Sequence, residues 1–554
     1  MVTTSRFALA AACMLLALPR PAAGQRRGGS APRDWTRGAV CYEIFVRSFY
    51  DSNGDGIGDL NGVTAKLDYI NDGNPATHDD LGARCIWLMP VAASPSYHGY
   101  DVTDYYLVEP DYGTNADFKR LMAAAHRRGI RVLVDMVLNH VSSQHPFFVQ
   151  ALRDTASPYR GWFRWSRTRP AQLGPWGQEV WHRSPVRDEY YYGVFTAEMP
   201  DLNYENPAVL AEAEKVARYW LTEMGVDGFR LDAVPYLVER GTRLMHTAAT
   251  HQLLHDYAAY VHRVAPGAFT VGEVWDGTGA LLPYYPDQLD DYFAFELSDA
   301  IVNAVRSGSA RALFPVIMRL QRSVPAGRWS PFLRNHDETR TMTELHGDIG
   351  RAKLAATLLL TMPGLPFVYY GEEIGMTGDK PDPRLRTPMQ WSPRATAGFT
   401  SGQPWEPMQP DTLTANVETE TADAGSLLAV YRRLIRLRAS EPALASGALV
   451  PLAASSDAVA AYLRRAGDRT VLVLANLDTL PVERVTLSSS AGVLPAGRYT
   501  ATTLLEGGRE GASRAGADAA PLRVGTDRRI RGYVALGSIS PGQFAVYRLE
   551  RAAR

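Results

Sequence analysis

The sequence predicts an α/β fold: a (β/α)8 TIM barrel with an inserted subdomain after its third strand and a C-terminal antiparallel β-sandwich. Three observations predict it. Short runs of β-branched and aromatic residues alternate with longer amphipathic stretches, which is the pattern of βα units around a parallel sheet. Eight such runs occur, at 42–49, 85–90, 132–137, 228–232, 269–275, 292–297, 331–335 and 367–370, the number that closes a barrel. Beyond the amphipathic stretch 427–438 the pattern changes to short alternating segments such as 470–476 and 543–549, separated by Gly, Ser and Asp.

Taken in order, the chain opens with Arg6, an apolar run over 7–18, and Pro21-Ala22-Ala23-Gly24, which together read as a signal peptide over 1–24. That run is too short to span a bilayer, and no later run of about 18 apolar residues follows. The expected product is a secreted protein, extracellular or periplasmic, with no membrane attachment after processing. The barrel takes 36–140 and 206–445, with helices such as 207–223 between strands. Segment 141–205, rich in Trp, Tyr, Arg and Pro, is too long for a βα loop and reads as a protruding subdomain. Residues 446–554 form the C-terminal domain.

A content of 46% hydrophobic and 21% charged residues is that of a globular protein with a large core and excludes a disordered chain. The net charge of -1 excludes nucleic acid and anionic lipid as partners, since binding phosphates takes clustered Lys and Arg. A neutral substrate and a monomeric enzyme are expected. Cys13 leaves with the signal peptide, while Cys41 and Cys85 each begin a strand-like run. They read as two buried thiols, with a disulfide as the alternative open to an exported chain.

In such a barrel the active site lies at the C-terminal ends of the strands. Four apolar strands end in polar residues: Asp135-Met-Val-Leu-Asn139-His140, Gly228-Phe-Arg230-Leu-Asp232, Gly272-Glu273-Val-Trp275 and Asn335-His336-Asp337. Retaining glycoside hydrolysis needs a nucleophilic carboxylate and a carboxylic acid about 5 to 5.5 Å apart. Asp232 and Glu273 close neighbouring strands and meet that need. Arg230, two residues before Asp232, points the same way and is expected to keep it ionised. Glu273, beside Val274 and Trp275, is expected in a less polar place that raises its pKa and makes it the acid. Asp337 can stabilise an oxocarbenium-like transition state, and His140 and His336 can bind sugar hydroxyls. An Asp near an Arg is by itself usually half of an ion pair; the weight lies in four such ends occurring together in barrel order.

These four segments resemble the signature regions of the α-amylase family, in its order and spacing, and the resemblance runs from about Ala39 into the C-terminal domain. It implies Asp232 as nucleophile, Glu273 as acid/base and Asp337 as transition-state stabiliser. Tyr100, in His98-Gly-Tyr-Asp101, would line the subsite of the attacked glucose with His140, Arg230 and His336. The implied activity is that of an α-amylase, hydrolysing α-1,4 bonds of starch and maltooligosaccharides by double displacement. Met199-Pro-Asp-Leu-Asn203 resembles the marker of a group intermediate between oligo-1,6-glucosidases and neopullulanases. Arg386-Thr-Pro-Met-Gln-Trp391 also occurs in trehalose synthases and oligoglucosidases. Ala233 and Tyr97, where oligo-1,6-glucosidases carry Val and Asp, favour α-1,4 cleavage and an open cleft. Leu231 to Leu237 keeps an α-glucosidase, oligo-1,6-glucosidase or trehalose-synthase-like transglycosylase as the alternative. Among Trp162, Trp165, Trp176 and Trp181, most rings are expected in the subdomain core, and some could extend a sugar-stacking surface.

Asp51-Ser-Asn53-Gly-Asp55-Gly56-Ile57-Gly-Asp59 places oxygen ligands at alternate positions, with Gly56 at the sharp turn and the Ile57 carbonyl available. This is the first part of a Ca2+ loop. Its twelfth position is Gly62 rather than Glu, and the competing reading is an Asx-rich turn without metal. Family resemblance adds a second calcium site at Asn139 and Asp201, between barrel and subdomain. Ala233-Val-Pro235-Tyr236 departs there from the Lys and His that many α-amylases carry.

Overall fold

The computed structural model describes residues 34–508, 511–513 and 518–552, so the expected signal peptide lies outside the described residues. Parallel strands Cys41–Ile44, Cys85–Leu88, Arg131–Met136, Gly228–Leu231, Phe269–Gly272 and Asp291–Tyr292 follow one another around a barrel. Phe367–Tyr369 pairs back onto the first strand, with Cys41 opposite Phe367. The seventh stave is not a regular strand, because Pro331 has no N–H to give a ladder. Two hydrogen bonds on each side close the ring there: Ser330 N–H to the Tyr292 carbonyl at 2.9 Å and Ala294 N–H to the Ser330 carbonyl at 3.0 Å on one side, Phe367 N–H to the Pro331 carbonyl at 2.9 Å and Leu365 N–H to the Trp329 carbonyl at 3.0 Å on the other.

Two expected strands pass into helix before the apolar runs that suggested them end. The run 42–49 stops as strand at Ile44 and continues as the helical turn Val46–Phe49, while 292–297 passes into helix Phe295–Ser307. In both places the strand and the buried face of the next element are apolar, so no change of period marks the join.

Alternation along the staves explains the barrel interior. Cys41, Cys85, Trp87, Leu133, Phe269, Val271, Phe293 and Phe367 form one buried cluster inside the ring. Tyr42, Ile44, Ile86, Leu88, Val132 and Val134 join the larger cluster packed under the helices. Continuing the inward series by two residues reaches Glu43, Asp135, Arg230 and Glu273, so the polar site is the top layer of the same stack. Cys41 and Cys85 are register partners, 4.3 Å apart at Cα, and form a disulfide. The expectation of two free thiols is corrected: parallel pairing makes residues 44 apart in sequence direct neighbours within the ring.

The 141–205 segment contains helix Pro146–Arg153 and a three-stranded sheet in the order Trp165–Ser166, Tyr190–Tyr192, Trp181–Arg183. Trp165 stacks on Phe148 at 5.8 Å and 6°, and the Arg160 guanidinium lies over the same indole, 3.6 Å from the ring centre. Helix Pro207–Tyr219 starts at an Asn206 cap with proline in its first turn and runs on through the π-helical turn Trp220–Met224 to Gly225, whose φ is 81°. The C-terminal domain is a broad antiparallel sheet around Val459–Ala466, Arg469–Asn476, Phe544–Arg551 and Gly497–Gly508. One face packs on the barrel's core through Tyr462, Val473 and Phe544. The other is covered by two two-stranded ribbons over Leu463, Leu472 and Tyr547, which makes a sandwich of unequal layers. Among the described residues no helix is long and apolar enough to cross a membrane.

Candidate active site

Arg230 is the centre of the mouth. Its side chain is 1% exposed, and its charge faces three carboxyl groups. Nη1 donates to Asp135 Oδ1 at 2.8 Å and to Asp232 Oδ1 at 2.8 Å, while Nη2 lies 3.1 Å from Glu273 Oε2. Glu273 Oε2 also accepts the N–H of Ala233, at 3.0 Å. Asp232 and Glu273 are therefore gripped by the two terminal nitrogens of one planar guanidinium, which fixes their relative position. Trp87 backs it, with the Arg230 carbon 5.0 Å from the ring centre.

Burial pushes the carboxyl pKa values of both Glu273 and Asp232 up, and Arg230 opposes this in each. The rise in Glu273 agrees with the sequence expectation, although its cause is enclosure in the mouth; Trp275 is 54% exposed and stacks on Phe295 instead. For Asp232 the expected pull of Arg230 is present, through both charge and hydrogen bond, while burial and the charge of Asp337 act against it. Burial likewise lifts Asp135 to about 7 against the pull of Arg230.

Across the mouth, Asp337 meets two cations. Arg386 Nη2 donates to its Oδ1 at 2.7 Å, and His336 Nε2 lies 3.0 Å from its Oδ2. Burial acts to raise the Asp337 pKa, but the His336 charge and then Arg386 outweigh it and hold the carboxylate far below the usual range. His336 Nδ1 meets Glu43 Oε1 at 2.6 Å, and Tyr100 OH contacts His336 Nε2 at 2.7 Å and Asp135 Oδ2 at 3.1 Å. Burial alone would depress His336, yet Asp337 and Glu43 raise its pKa to about 9. His140 is 2% exposed, and burial lowers it to about 4, so it is neutral. Its Nε2 has no hydrogen-bond partner among the described residues.

Of the seven residues expected at the catalytic and sugar sites, six are joined through their side chains in one network, and His140 lies beside it, against the Tyr100 backbone and 5.2 Å from the Phe195 ring. Sequence reasoning assigned no role to Glu43, Asp135 or Arg386. Glu43 carries a signal, as a lone carboxylate inside an apolar strand, and Asp135 another, as the inward residue opposite Arg230. Arg386 arrives from a loop beyond the last stave; the stretch Arg386 to Trp391 stood out as a resemblance, but nothing local points its guanidinium at Asp337.

The candidate metal residues divide in two. Asp51, Asn53 and Asp55 each accept the N–H two residues ahead, at 2.9, 2.8 and 2.8 Å, so the loop is wound as successive Asx turns. Asp51 Oδ2 also takes Gly56 N–H at 2.8 Å, and Asp59 caps helix Leu60–Ala65 through Gly62 N–H at 2.8 Å. Among the described residues no three His, Cys, Asp or Glu side chains group as a metal centre. The loop supplies hard oxygen donors that keep spare lone pairs, a donor set suited to calcium but already satisfied by backbone amides. Asn139 and Asp201 are both buried and hydrogen-bonded to each other. Burial and then Glu239 drive the Asp201 pKa well above the carboxylate range, and its Oδ2 has no hydrogen-bond partner among the described residues. That orphaned oxygen fits a hard cation.

Paired carboxyls on one cation, with a third held ionised opposite them in the mouth of a parallel barrel, define a barrel glycoside hydrolase. Comparison with known proteins agrees. Residues 43–447 match the family described as alpha amylase, catalytic domain, and the chain belongs to that family. It is 37% identical over 454 residues to Alpha-amylase 3 of Dictyoglomus thermophilum, covering 80% of this chain and 86% of that protein. It is 36% identical over 542 residues to the Trehalose synthase/amylase TreS of Mycolicibacterium smegmatis, covering 85% and 89%. The crystal structure of the α-amylase from H. orenii superposes with a TM-score of 0.78 at 37% identity, over 93% of this chain and 100% of that one.

Proposed function

We propose that this protein is a secreted, monomeric α-amylase: a retaining hydrolase of α-1,4-glucosidic bonds in starch and maltooligosaccharides. One observation carries the reading, the placement of Asp232 and Glu273 on the two terminal nitrogens of Arg230. In the first step Asp232 attacks the anomeric carbon while Glu273 gives its proton to the departing glycosidic oxygen, leaving a glucosyl ester on Asp232. In the second, water gives a proton to Glu273 and attacks the same carbon, the ester bond breaks, and Asp232 recovers its charge. A raised Glu273 pKa keeps the acid protonated at a pH where a free glutamate is ionised. Asp337, held ionised by His336 and Arg386, offers negative charge to the oxocarbenium-like transition state. Tyr100 presents its ring to the sugar, and His140 Nε2 is free to meet a hydroxyl.

The name of the first relative and the presence of Ala233 and Tyr97 support α-1,4 hydrolysis. A second reading, a transglycosylase of trehalose-synthase type, is favoured by the likeness to a protein named for both activities. We also propose calcium at Asp51, Asn53, Asp55, the Ile57 carbonyl and Asp59, and a second ion at Asn139 and Asp201; bound there, it would tie loops together and take no part in bond cleavage.

The test is a time course of products from starch and from maltose, run with the parent and Asp232→Asn. Mixed maltooligosaccharides from starch are expected, with activity reduced by roughly a thousandfold or more in the variant. Conversion of maltose to trehalose would overturn the amylase reading, and a variant as fast as the parent would remove Asp232 from the role of nucleophile.

A further inference from the structure

The chain has eleven tryptophans. All lie among the described residues, and only Trp176 and Trp275 are exposed, at 61% and 54%. Trp176 stands in the inserted subdomain, on a tight turn closed by the antiparallel bridge of Leu173 with Glu179. Gly177 N–H bonds the Gly174 carbonyl at 3.0 Å, the Gln178 side chain accepts Trp176 N–H at 2.9 Å, and its amide donates to the Val194 carbonyl at 2.8 Å. The indole meets Phe195 at 5.6 Å and Tyr236 at 5.6 Å, and those two rings meet each other at 5.8 Å. One side of the indole is thus braced by aromatic neighbours while most of its surface stays in water. An exposed indole held in one orientation against two further rings offers a preformed flat face on which another apolar face can stack.

Position tells which part of the substrate it serves. Phe195 lies beside His140, at the edge of the pocket for the attacked sugar. Tyr236, on the turn Val234–Tyr236 that follows Asp232, lies close enough to Glu273 and Asp276 to feel their charge. Glu273 is the group assigned to protonate the departing oxygen, so surfaces beside it face the chain that leaves. The three rings lead from the attacked glucose outward on that flank.

We propose that Trp176, braced by Phe195 and Tyr236, stacks on a glucosyl unit of the leaving chain and makes the length of that chain a determinant of turnover. The apolar C–H face of a pyranose fits an indole face, as other flat apolar groups do. Binding energy from a unit remote from the broken bond then serves to orient the one being attacked. The proposal deepens the hydrolase reading and rests on it.

The experiment compares kcat/KM on maltopentaose with kcat/KM on α-glucosyl fluoride, whose leaving group is a bare fluoride that reaches no leaving-side surface. The ratio of the two is expected to fall about tenfold in Trp176→Ala and in Trp176→Leu, which keeps bulk without a ring, and to recover in Trp176→Phe. A ratio unchanged from the parent in both the Ala and Leu variants overturns the proposal. So does a ratio that stays low in the Phe variant. A parent that fails to hydrolyse α-glucosyl fluoride removes the hydrolase reading beneath it, a result distinct from an unchanged ratio in an active enzyme.

Discussion

His336 is fully enclosed between Glu43 and Asp337, with Tyr100 stacked on its ring at 5.6 Å and 14°. Its folded-state pKa of about 9 exceeds the ordinary 6.5, so the protonated ring stabilises the fold. For a raised basic group that contribution is fully present below about 6.5 and is lost as pH climbs through about 9. The melting temperature is therefore expected to decline across that interval, and His336→Gln to flatten the decline; equal slopes in parent and variant would deny His336 the charge. At this scale the sequence was partly legible. Asp232, Glu273 and Asp337 end apolar strands, where period two and barrel order leave little freedom. The roles of Glu43 and Arg386 were not legible, because they come from what these residues touch across 293 and 49 residues of chain, and no window holds both partners.

Among the elements, the loop 51–59 shows how a motif can serve two masters. Its Asx turns satisfy its own backbone, while Asp51 N–H bonds the Phe399 carbonyl at 3.1 Å and Trp405 N–H bonds the Gly56 carbonyl at 3.0 Å. Trp405 in turn stacks on Tyr97 at 5.4 Å, so the loop props one wall of the mouth. Gly56 has φ of 94°, and a Cβ there would lie 1.8 Å from the Gln403 carbonyl oxygen. Gly56→Ala is expected to cost about 2 kcal/mol or more of stability, read as a drop in denaturation midpoint. If calcium binds the loop, a chelator lowers the parent's midpoint, and a smaller drop is expected in Asp51→Asn; a parent indifferent to chelation would leave the Asx-turn reading standing. Oxygen spacing and Gly56 made the loop legible as a motif. Its partners at 399–405 were not, and neither was the true end of the first strand, since Val46–Phe49 is as apolar as the strand before it.

Across the whole molecule, the barrel's order was legible because eight apolar runs alternate with amphipathic ones, and parallel sheets buried on both faces demand such runs. The pairing of Cys41 with Cys85 was not, since register between strands is a property of the closed ring. The bond closes a loop of 44 residues, which in the chain-entropy view stabilises by about 4 kcal/mol. Replacing both cysteines by serine is expected to lower the urea midpoint of the oxidised protein, with reductant then having no further effect. A reductant-sensitive midpoint in the double variant would place the sensitivity elsewhere.

The ring of staves also joins the two ends of its own span: Cys41–Ile44 lies against Phe367–Tyr369, more than 300 residues later. During synthesis the earlier edge must wait, with its amides and carbonyls unmatched, until the later one emerges. That interval exposes an apolar edge able to pair with a neighbouring chain. Yield should therefore depend on how quickly the seam is sealed, and crowded nascent chains should be lost to one another before finished molecules lose any stability.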